Sequence, residues 1–206
     1  MNYVTDAFGV VHQDPPIVTK EYTAEYIEEA YASMPERVEM MSWLRTGFVI
    51  GAIGIPASVL DVGYGNGGFL KAMQSLGSLC YGCDISGYPL PEGCEELSWP
   101  EVLDSRFALV TFFDSLEHIE SLEFLSQLKA ERVVITAPYY REEAFPTWKH
   151  RKPGEHLHHF TPESLKRLME HMGFSRVKTV DLEDCIRGRL DGQQNTFTSI
   201  FLPEEF

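Results

Sequence analysis

A cluster of glycines between residues 63 and 68 is the clearest sign of chemistry in this sequence. It follows the apolar run 58–62, which favours a β-strand, and it precedes apolar residues at helical spacing in 69–76. Glycine lets a turn adopt positive φ and lets a ligand approach bare backbone, while the first N–H groups of a helix offer hydrogen-bond donors. The pattern therefore predicts a strand, a tight turn and a helix that bind a nucleotide-sized ligand.

Two acidic residues bear on the identity of that ligand. Gly63-x-Gly65-x-x-Gly68 satisfies the dinucleotide fingerprint, and Asp84 follows at about the 20 residues expected of an acid that binds a ribose. Spacing alone therefore leaves NAD and S-adenosylmethionine both open. Asp61 stands two residues before the first glycine, where a carboxylate would repel a pyrophosphate and attract a cation. This charge favours S-adenosylmethionine, which carries an ammonium and a sulfonium.

Segment 61–67 resembles the first motif of class I S-adenosylmethionine-dependent methyltransferases. Four later segments resemble the second-strand motif, the segment after strand four, strand five, and a signature of ubiquinone-type and sugar-modifying enzymes: 81–85, 112–119, 132–138 and 155–165. The resemblance implies S-adenosylmethionine as donor and S-adenosylhomocysteine as product. The donor-binding residues that we assign on this basis are Asp61, Gly63, Gly65, Gly67, Asp84, Ile85, Ser98, Trp99, Phe113 and Asp114.

Alternation of strand and helix patterns predicts an α/β fold with a parallel sheet. The resemblance implies a Rossmann-like, doubly wound, seven-stranded sheet with helices on both faces and an antiparallel last strand. One domain is expected over 1–206, in which 1–54 form an extension and a helical lid and 55–206 form the core. The predicted elements are an extended segment 1–18, helices 24–33, 35–48, 122–128 and 161–172, and strands 58–62, 108–113, 133–137, 174–182 and 195–202.

Composition narrows the class of partner. The 206 residues carry a net charge of −14, which disfavours nucleic acid because nucleic-acid binding needs a basic surface. The one basic cluster, 149–152, is more typical of a solvated loop. No apolar run is long enough to span a bilayer, and 1–9 does not resemble a secretory signal, so a cytoplasmic protein with a small-molecule acceptor is expected. The oligomeric state is left open.

Four cysteines raise the question of a zinc or redox site. Cys80 and Cys83 have C-x-x-C spacing, but Cys94 and Cys185 do not form a matching second pair. Buried or partly buried thiols are therefore expected instead of a metal or redox centre.

Histidines supply the candidate catalytic groups. Methyl transfer from a sulfonium depends chiefly on in-line positioning, but a hydroxyl acceptor benefits from a base. His118 follows the predicted strand 108–113, and His159 lies in the histidine-rich segment 156–159, so both are predicted as catalytic bases. The structural alternative for each is a hydrogen bond to loop backbone or packing against Phe160.

A metal is not predicted, although one group of residues would suit it. Asp114, Glu117 and His118 have spacings that share one face of a helical turn, and His156 would complete the shell. The group resembles the acid-x-x-Glu-His motif of small-RNA 2′-O-methyltransferases and ubiquinone O-methyltransferases, in which Mg or Mn orients the acceptor oxygens. A Leu-Glu-His segment is also widespread in the superfamily without any metal.

Together these observations predict a methyltransferase that acts on a small polar acceptor, at an oxygen of a hydroxylated metabolite or sugar. An NAD-dependent oxidoreductase and a non-catalytic cofactor-binding module are the alternatives. Aromatic residues are candidates for the acceptor wall, with core packing as the alternative reading: Tyr139, Tyr140 and Trp148, and Tyr22, Tyr26 and Tyr31 of the first helix.

Overall fold

The structure is a computed structural model that describes residues 1–189 and 192–204. Its helices are α1 (Ala24–Ala32), α2 (Pro35–Ile53), α3 (Gly68–Ser75), α4 (Trp99–Asp104), α5 (Pro162–His171) and α6 (Asp184–Arg187). Its strands are β1 (Asn2–Thr5), β2 (Val11–Asp14), β3 (Ser58–Val62), β4 (Leu79–Cys83), β5 (Glu95–Glu96), β6 (Arg106–Phe107), β7 (Leu109–Phe113), β8 (Lys129–Ala130), β9 (Val133–Pro138), β10 (His158–His159), β11 (Phe174–Val180) and β12 (Thr196–Pro203). Three 3-10 turns cover Leu116–His118, Glu123–Gln127 and Glu142–Thr147.

Seven strands form the central sheet in the order β11-β12-β9-β7-β3-β4-β5. Neighbours from β9 to β5 are parallel, whereas β12 is antiparallel to both β9 and β11. Every residue of β7 and β9 is buried, as expected of parallel strands covered on both faces, and this explains their continuous apolar runs. The predicted Rossmann-like, mostly parallel seven-stranded fold is confirmed.

Apolar side chains form a layer on each face of the sheet. Leu60 and Phe112 face the layer that includes α5, whereas Val59 and Leu109 face the layer that includes α3. Adjacent residues of a strand point to opposite faces, so the strands supply both layers. The parallel register places the carboxyl ends of β3, β4 and β7 at one rim of the sheet.

The N-terminal segment differs from the extended form predicted for 1–18. β1 and β2 pair antiparallel, and β10 joins the outer edge of β2 to make a three-stranded sheet. The side chain of Asp6 accepts the N–H groups of Phe8 and Val10 at 2.9 Å each, and Gly9 adopts a φ of +86°. The prediction was wrong because this Asp-to-Gly turn went unrecognised.

Two N-terminal helices lie next to the sheet. The Thr23 hydroxyl accepts the N–H of Tyr26 at 3.2 Å and caps α1, as its sequence predicted, and Pro35 occupies the first turn of α2. The predicted helix 122–128 is a 3-10 turn over 123–127 instead. Among the described residues, no helix combines the length and the apolar character needed to cross a bilayer.

The cap of α5 yields a stability prediction. The Thr161 hydroxyl accepts the Ser164 N–H at 3.0 Å, and the Ser164 hydroxyl accepts the Thr161 N–H at 2.9 Å. Thr161→Ala removes the first bond and should lower the free energy of unfolding by about 1 kcal/mol. Thr161→Ser, which loses the same methyl group but keeps the oxygen, should retain most of the stability in urea unfolding. Equal losses in the two variants would contradict a capping role.

Candidate active site

A cavity of about 1150 Å³ opens at the rim formed by β3, β4 and β7. Helices α1 and α2 supply its other wall through side chains that include Ile27, Tyr31, Met41 and Arg45, together with Tyr22 from the segment before α1. Open α/β sheets bind ligands at the carboxyl ends of their strands, at the point where the strand order reverses. Since β3 pairs with β4 on one side and β7 on the other, this cavity lies at that point.

The turn after β3 brings bare backbone to the cavity. Gly63 and Gly65 have φ values of +75° and +56° and both line the cavity. A Cβ at Gly63 would lie 2.5 Å from Cβ of Ser115, and one at Gly65 would lie 2.5 Å from the hydroxyl of Tyr31. The enclosure therefore excludes side chains at both positions.

Gly67 has a different place from the one predicted. It precedes the first residue of α3 with a φ of +70°, and a Cβ there would meet Cδ of Pro91 at 2.5 Å. Gly67 is not among the residues that line the cavity. Its left-handed conformation at the N-cap of α3 is by itself a reason for a glycine at this position.

Asp61 lies in β3, two residues before the glycine turn. Its side chain is almost fully buried, lines the cavity and accepts a hydrogen bond from the Thr111 hydroxyl at 2.6 Å. Burial raises the pKa of Asp61 to about 7, although Thr111 and the nearby Arg45 act in the opposite direction. The ligand-free site therefore holds a carboxyl group that is half-ionised near neutral pH.

Asp84 follows β4 and connects it to the glycine turn. One carboxylate oxygen accepts the Gly65 N–H at 3.0 Å and the other accepts the Ser86 N–H at 2.7 Å. Ile85 is 82% exposed and lines the cavity, as do Ser98 and Trp99 at the start of α4. These predicted donor-binding residues thus line the same cavity as the glycine turn.

Phe113 is the last residue of β7 and Asp114 follows it, and both line the cavity. Asp114 has a φ of +56°, the only positive φ outside glycine in the described part of the chain. Its carboxylate accepts hydrogen bonds from Arg45 and Arg187. The Arg45 guanidinium also lies 4.4 Å from the ring centroid of Phe113.

Sequence reasoning missed these two arginines. Arg45 belongs to α2 and Arg187 to α6, so each is about 70 residues from Asp114 in sequence, and no motif connects them. The one local signal is a basic residue on the otherwise apolar stripe of α2.

Three residues with metal-ligating side chains meet on the side of the cavity away from the glycine turn. One ligand atom each from Glu117, His118 and His156 lies within 4.8 Å of the others. Nδ1 of His118 donates to the backbone oxygen of Glu155 at 2.8 Å, which leaves Nε2 as an acceptor. Burial lowers the pKa of His118 and lowers that of His156 to about 2, so both rings are neutral.

Glu117 is the least satisfied polar group of this cluster. Its side chain is 1% exposed, and neither carboxylate oxygen has a hydrogen-bond partner among the described residues. Burial and the charge of Asp114 raise its pKa well above the usual range. Nδ1 of His156 is also buried without a partner. The predicted fourth candidate, Asp114, is outside this group because its carboxylate is engaged by the two arginines.

His159, the second predicted base, occupies a different environment. It is buried beside the rings of Tyr3, Phe145 and Trp148, with centroids 4.9 to 5.7 Å away, and it does not line the cavity. Burial lowers its pKa to about 3. Its surroundings match the packing alternative that the sequence also allowed.

Of the aromatic residues predicted for the acceptor wall, one group lines the cavity and the other does not. Tyr22, Tyr26 and Tyr31 of the N-terminal region line the cavity, and the hydroxyl of Tyr22 lies 3.2 Å from Nδ1 of His118. The predicted alternatives, Tyr139, Tyr140 and Trp148, are not among the lining residues.

The cysteines are free thiols: Cys80 is buried, Cys83 and Cys94 are partly buried, and Cys185 is exposed. The prediction of buried thiols holds for all but Cys185. The basic cluster 149–152 is not a free cationic patch, since Lys152 pairs with Glu155 at 2.6 Å and the Arg151 guanidinium lies 5.2 Å from the ring centroid of Tyr3.

Comparison with known proteins identifies the family. Residues 48–179 match the family model described as a methyltransferase domain, which is more than half of the chain. The chain belongs to this methyltransferase family. A search of curated proteins finds no match.

Solved structures of methyltransferases share the fold. A chain of the Haloferax volcanii complex between the Trm112 methyltransferase activator and a methyltransferase is 14% identical, with a TM-score of 0.61 over 85% of this chain and 97% of that one. Burkholderia thailandensis 1,6-didemethyltoxoflavin-N1-methyltransferase, with S-adenosylhomocysteine bound, is 15% identical, with a TM-score of 0.57 over 100% of both chains. Magnesium protoporphyrin IX methyltransferase from Synechocystis, also with S-adenosylhomocysteine, is 14% identical, with a TM-score of 0.56 over 81% and 83%.

The family match establishes a methyltransferase and decides against the nicotinamide-dependent oxidoreductase that spacing had left open. At identities this low the structural matches show the fold alone, and the named neighbours act on unrelated acceptors. The acceptor of this methyltransferase must therefore be argued from its own cavity.

The pKa of Asp61 predicts how donor binding depends on pH. A bound cation favours the ionised carboxyl, so affinity for S-adenosylmethionine should be full above pH 7 and should fall as the pH drops below it. With the free-protein pKa near 7, the loss between pH 8 and pH 6 is roughly tenfold. Titration calorimetry at both values measures it, and Asp61→Asn should remove most of the dependence. An equally steep profile in Asp61→Asn would assign the effect to another group.

Proposed function

We propose that this methyltransferase transfers the methyl group of S-adenosylmethionine to an oxygen of a small hydroxylated acceptor, such as a sugar or another polar metabolite. The supporting observation is that one cavity is lined both by the glycine turn and by the cluster of Glu117, His118 and His156. Its volume of about 1150 Å³ exceeds the common range for a single small ligand, so donor and acceptor fit together.

The donor occupies the half formed by the glycine turn. Its ribose lies against Asp84, and its cationic amino-acid end lies towards the carboxyl groups of Asp61 and Asp114, to which a cation is attracted. Gly63 and Gly65 give it bare backbone to lie against. The sulfonium methyl then faces the remaining half of the cavity, which Tyr22 and His118 enclose.

His118 acts on the acceptor hydroxyl. Its Nδ1–H is held by the Glu155 carbonyl, so the lone pair of Nε2 is free to accept the hydroxyl proton as the oxygen attacks the methyl group. The lowered pKa keeps the ring neutral and ready to accept a proton at pH 7. The departing thioether is a good leaving group and needs no proton.

Labelled methyl transfer tests this proposal. S-adenosylmethionine labelled in its methyl group is incubated with a panel of sugars, polyols, catechols and primary amines, and labelled products are identified by mass spectrometry. We expect transfer to hydroxyl-bearing compounds and attachment at oxygen. Label found only on the amines would overturn the proposed acceptor class while leaving the donor assignment intact.

His118→Gln provides the matched variant. Loss of a general base should lower turnover about 10²- to 10⁴-fold, whereas the dissociation constant for S-adenosylhomocysteine should change less than about twofold because His118 lies away from the glycine turn. His171→Gln, an exposed histidine at the end of α5, is the control. Wild-type turnover in His118→Gln would remove the base from the mechanism.

The orphaned carboxylate of Glu117 supports a second proposal at the same wall, a divalent cation held by Glu117, His118 and His156. Burying a carboxyl group without any partner is costly, and a cation would satisfy both of its oxygens and the unpartnered His156 nitrogen. Two imidazoles and one carboxylate suit Mn²⁺ better than Mg²⁺, which prefers an all-oxygen shell. When bound, the cation supplies Lewis acidity that lowers the pKa of an acceptor hydroxyl.

The two proposals compete for Nε2 of His118, since one lone pair cannot both accept a proton and bind a cation. Titration of Mn²⁺ followed by its electron paramagnetic resonance signal separates them without any turnover. A cation site predicts that the free Mn²⁺ signal falls with wild-type protein and that Glu117→Gln weakens binding about tenfold or more. Glu123→Gln, an exposed residue outside the cavity, should bind like wild type. Equal Mn²⁺ binding by wild type and Glu117→Gln would exclude the site.

A further inference from the structure

Four charged residues at the cavity, Arg45, Asp114, Glu183 and Arg187, form a closed network of hydrogen bonds. Both carboxylate oxygens of Glu183 accept hydrogen bonds at 2.6 Å, one from Nε of Arg45 and one from Nε of Arg187. The Nη2 groups of the same two arginines both donate to Oδ2 of Asp114. The network therefore joins α2, the start of α6 and the end of β7.

The four members differ in their access to the cavity. Arg45, Arg187 and Asp114 line it, whereas Glu183 does not and its side chain is 0% exposed. Burial alone would raise the pKa of Glu183, but the two guanidinium groups outweigh it and lower the pKa. Glu183 is thus an ionised group, neutralised by its partners, that no ligand in the cavity can touch.

Asp114 needs such support because its backbone is strained. A non-glycine residue with a φ of +56° is in a strained backbone conformation that persists only where its surroundings determine it. Arg45 and Arg187 both donate to Oδ2 of Asp114 and so hold its side chain in place. Glu183, which does not line the cavity, holds both arginines in turn. Oδ1 of Asp114 has no hydrogen-bond partner among the described residues and is left for a ligand.

We infer that Glu183 is a positioning residue for the amino-acid end of the methyl donor. It acts through Arg45 and Arg187, which hold the charge of Asp114 where the donor ammonium binds. The inference rests on the proposed function, in which the amino-acid end of the donor lies towards Asp61 and Asp114. We therefore expect a substitution at Glu183 to weaken binding of the amino-acid end of the donor but not binding of its nucleoside.

Two ligands distinguish these parts of the donor. S-adenosylhomocysteine has both, whereas 5′-methylthioadenosine has the nucleoside and the thioether but no amino acid. Calorimetry should show that Glu183→Gln weakens S-adenosylhomocysteine about tenfold, with 5′-methylthioadenosine changed less than about twofold. Equal weakening of the two ligands would show a general structural effect and overturn the inference. Failure of the wild-type protein to bind S-adenosylhomocysteine would instead count against the donor assignment.

Further variants keep the test decisive if Glu183→Gln is unstable. Glu183→Asp keeps the charge but retracts it by one methylene, so it should show the same difference between the ligands with less effect on thermal melting. In a background that already carries Arg45→Met and Arg187→Met, Glu183→Gln should weaken S-adenosylhomocysteine no further, because Glu183 acts through those two arginines. Additive losses would overturn the inference. Arg189→Ala, which removes an exposed ion pair with Asp181 in the same segment, is the control for unspecific effects.

Discussion

The donor site depends on how closely other elements approach the backbone of the turn after β3. Ser115 from the end of β7 and Tyr31 from α1 lie where side chains of Gly63 and Gly65 would have to be, and Asp84 from the end of β4 binds the Gly65 N–H. Both glycines adopt the left-handed conformation, and a Cβ at either position would collide with these neighbours. Because one short turn contacts β4, β7 and α1 together, it fixes the rim of the sheet and the N-terminal helix in a single arrangement around the cavity.

Three acidic residues in this cavity are accommodated by different physical means. Asp61 has one hydroxyl partner, so burial shifts its titration towards neutral pH. Asp114 has two arginine partners in a network with equal numbers of positive and negative groups. Glu117 has no partner among the described residues, and its proton is retained to well above the usual pH. The site thus concentrates acidic groups without concentrating full negative charge until a cationic ligand arrives.

Local patterns carried most of what the sequence could predict. The strand, glycine turn and helix of 58–75 and the capped helix α5 are set by residues within a few positions of each other, and both were predicted. The network of Arg45, Asp114, Glu183 and Arg187 was not predictable, because its members come from three elements that only the tertiary fold brings together. The positions of the histidines were not predictable for a related reason: His156 and His159 are three residues apart, and only the surrounding rings show that His159 packs away from the cavity.

The turn after β7, which carries Glu117 and His118, is held through its backbone by the segment that contains β10. The backbone oxygen of Glu117 accepts the N–H of Leu157 at 2.8 Å, and Nε2 of His158 donates to the backbone oxygen of Ile119 at 2.8 Å. Leu157 and His158 thus satisfy two carbonyls of the turn, and β10 is itself held by its pairing with β2 of the N-terminal hairpin. With its backbone satisfied from behind, the turn needs no local bonds from the side chains of Glu117 and His118. Both are consequently free to face the cavity, and the hairpin that sequence patterns had left as an extended segment becomes part of the support for the chemistry.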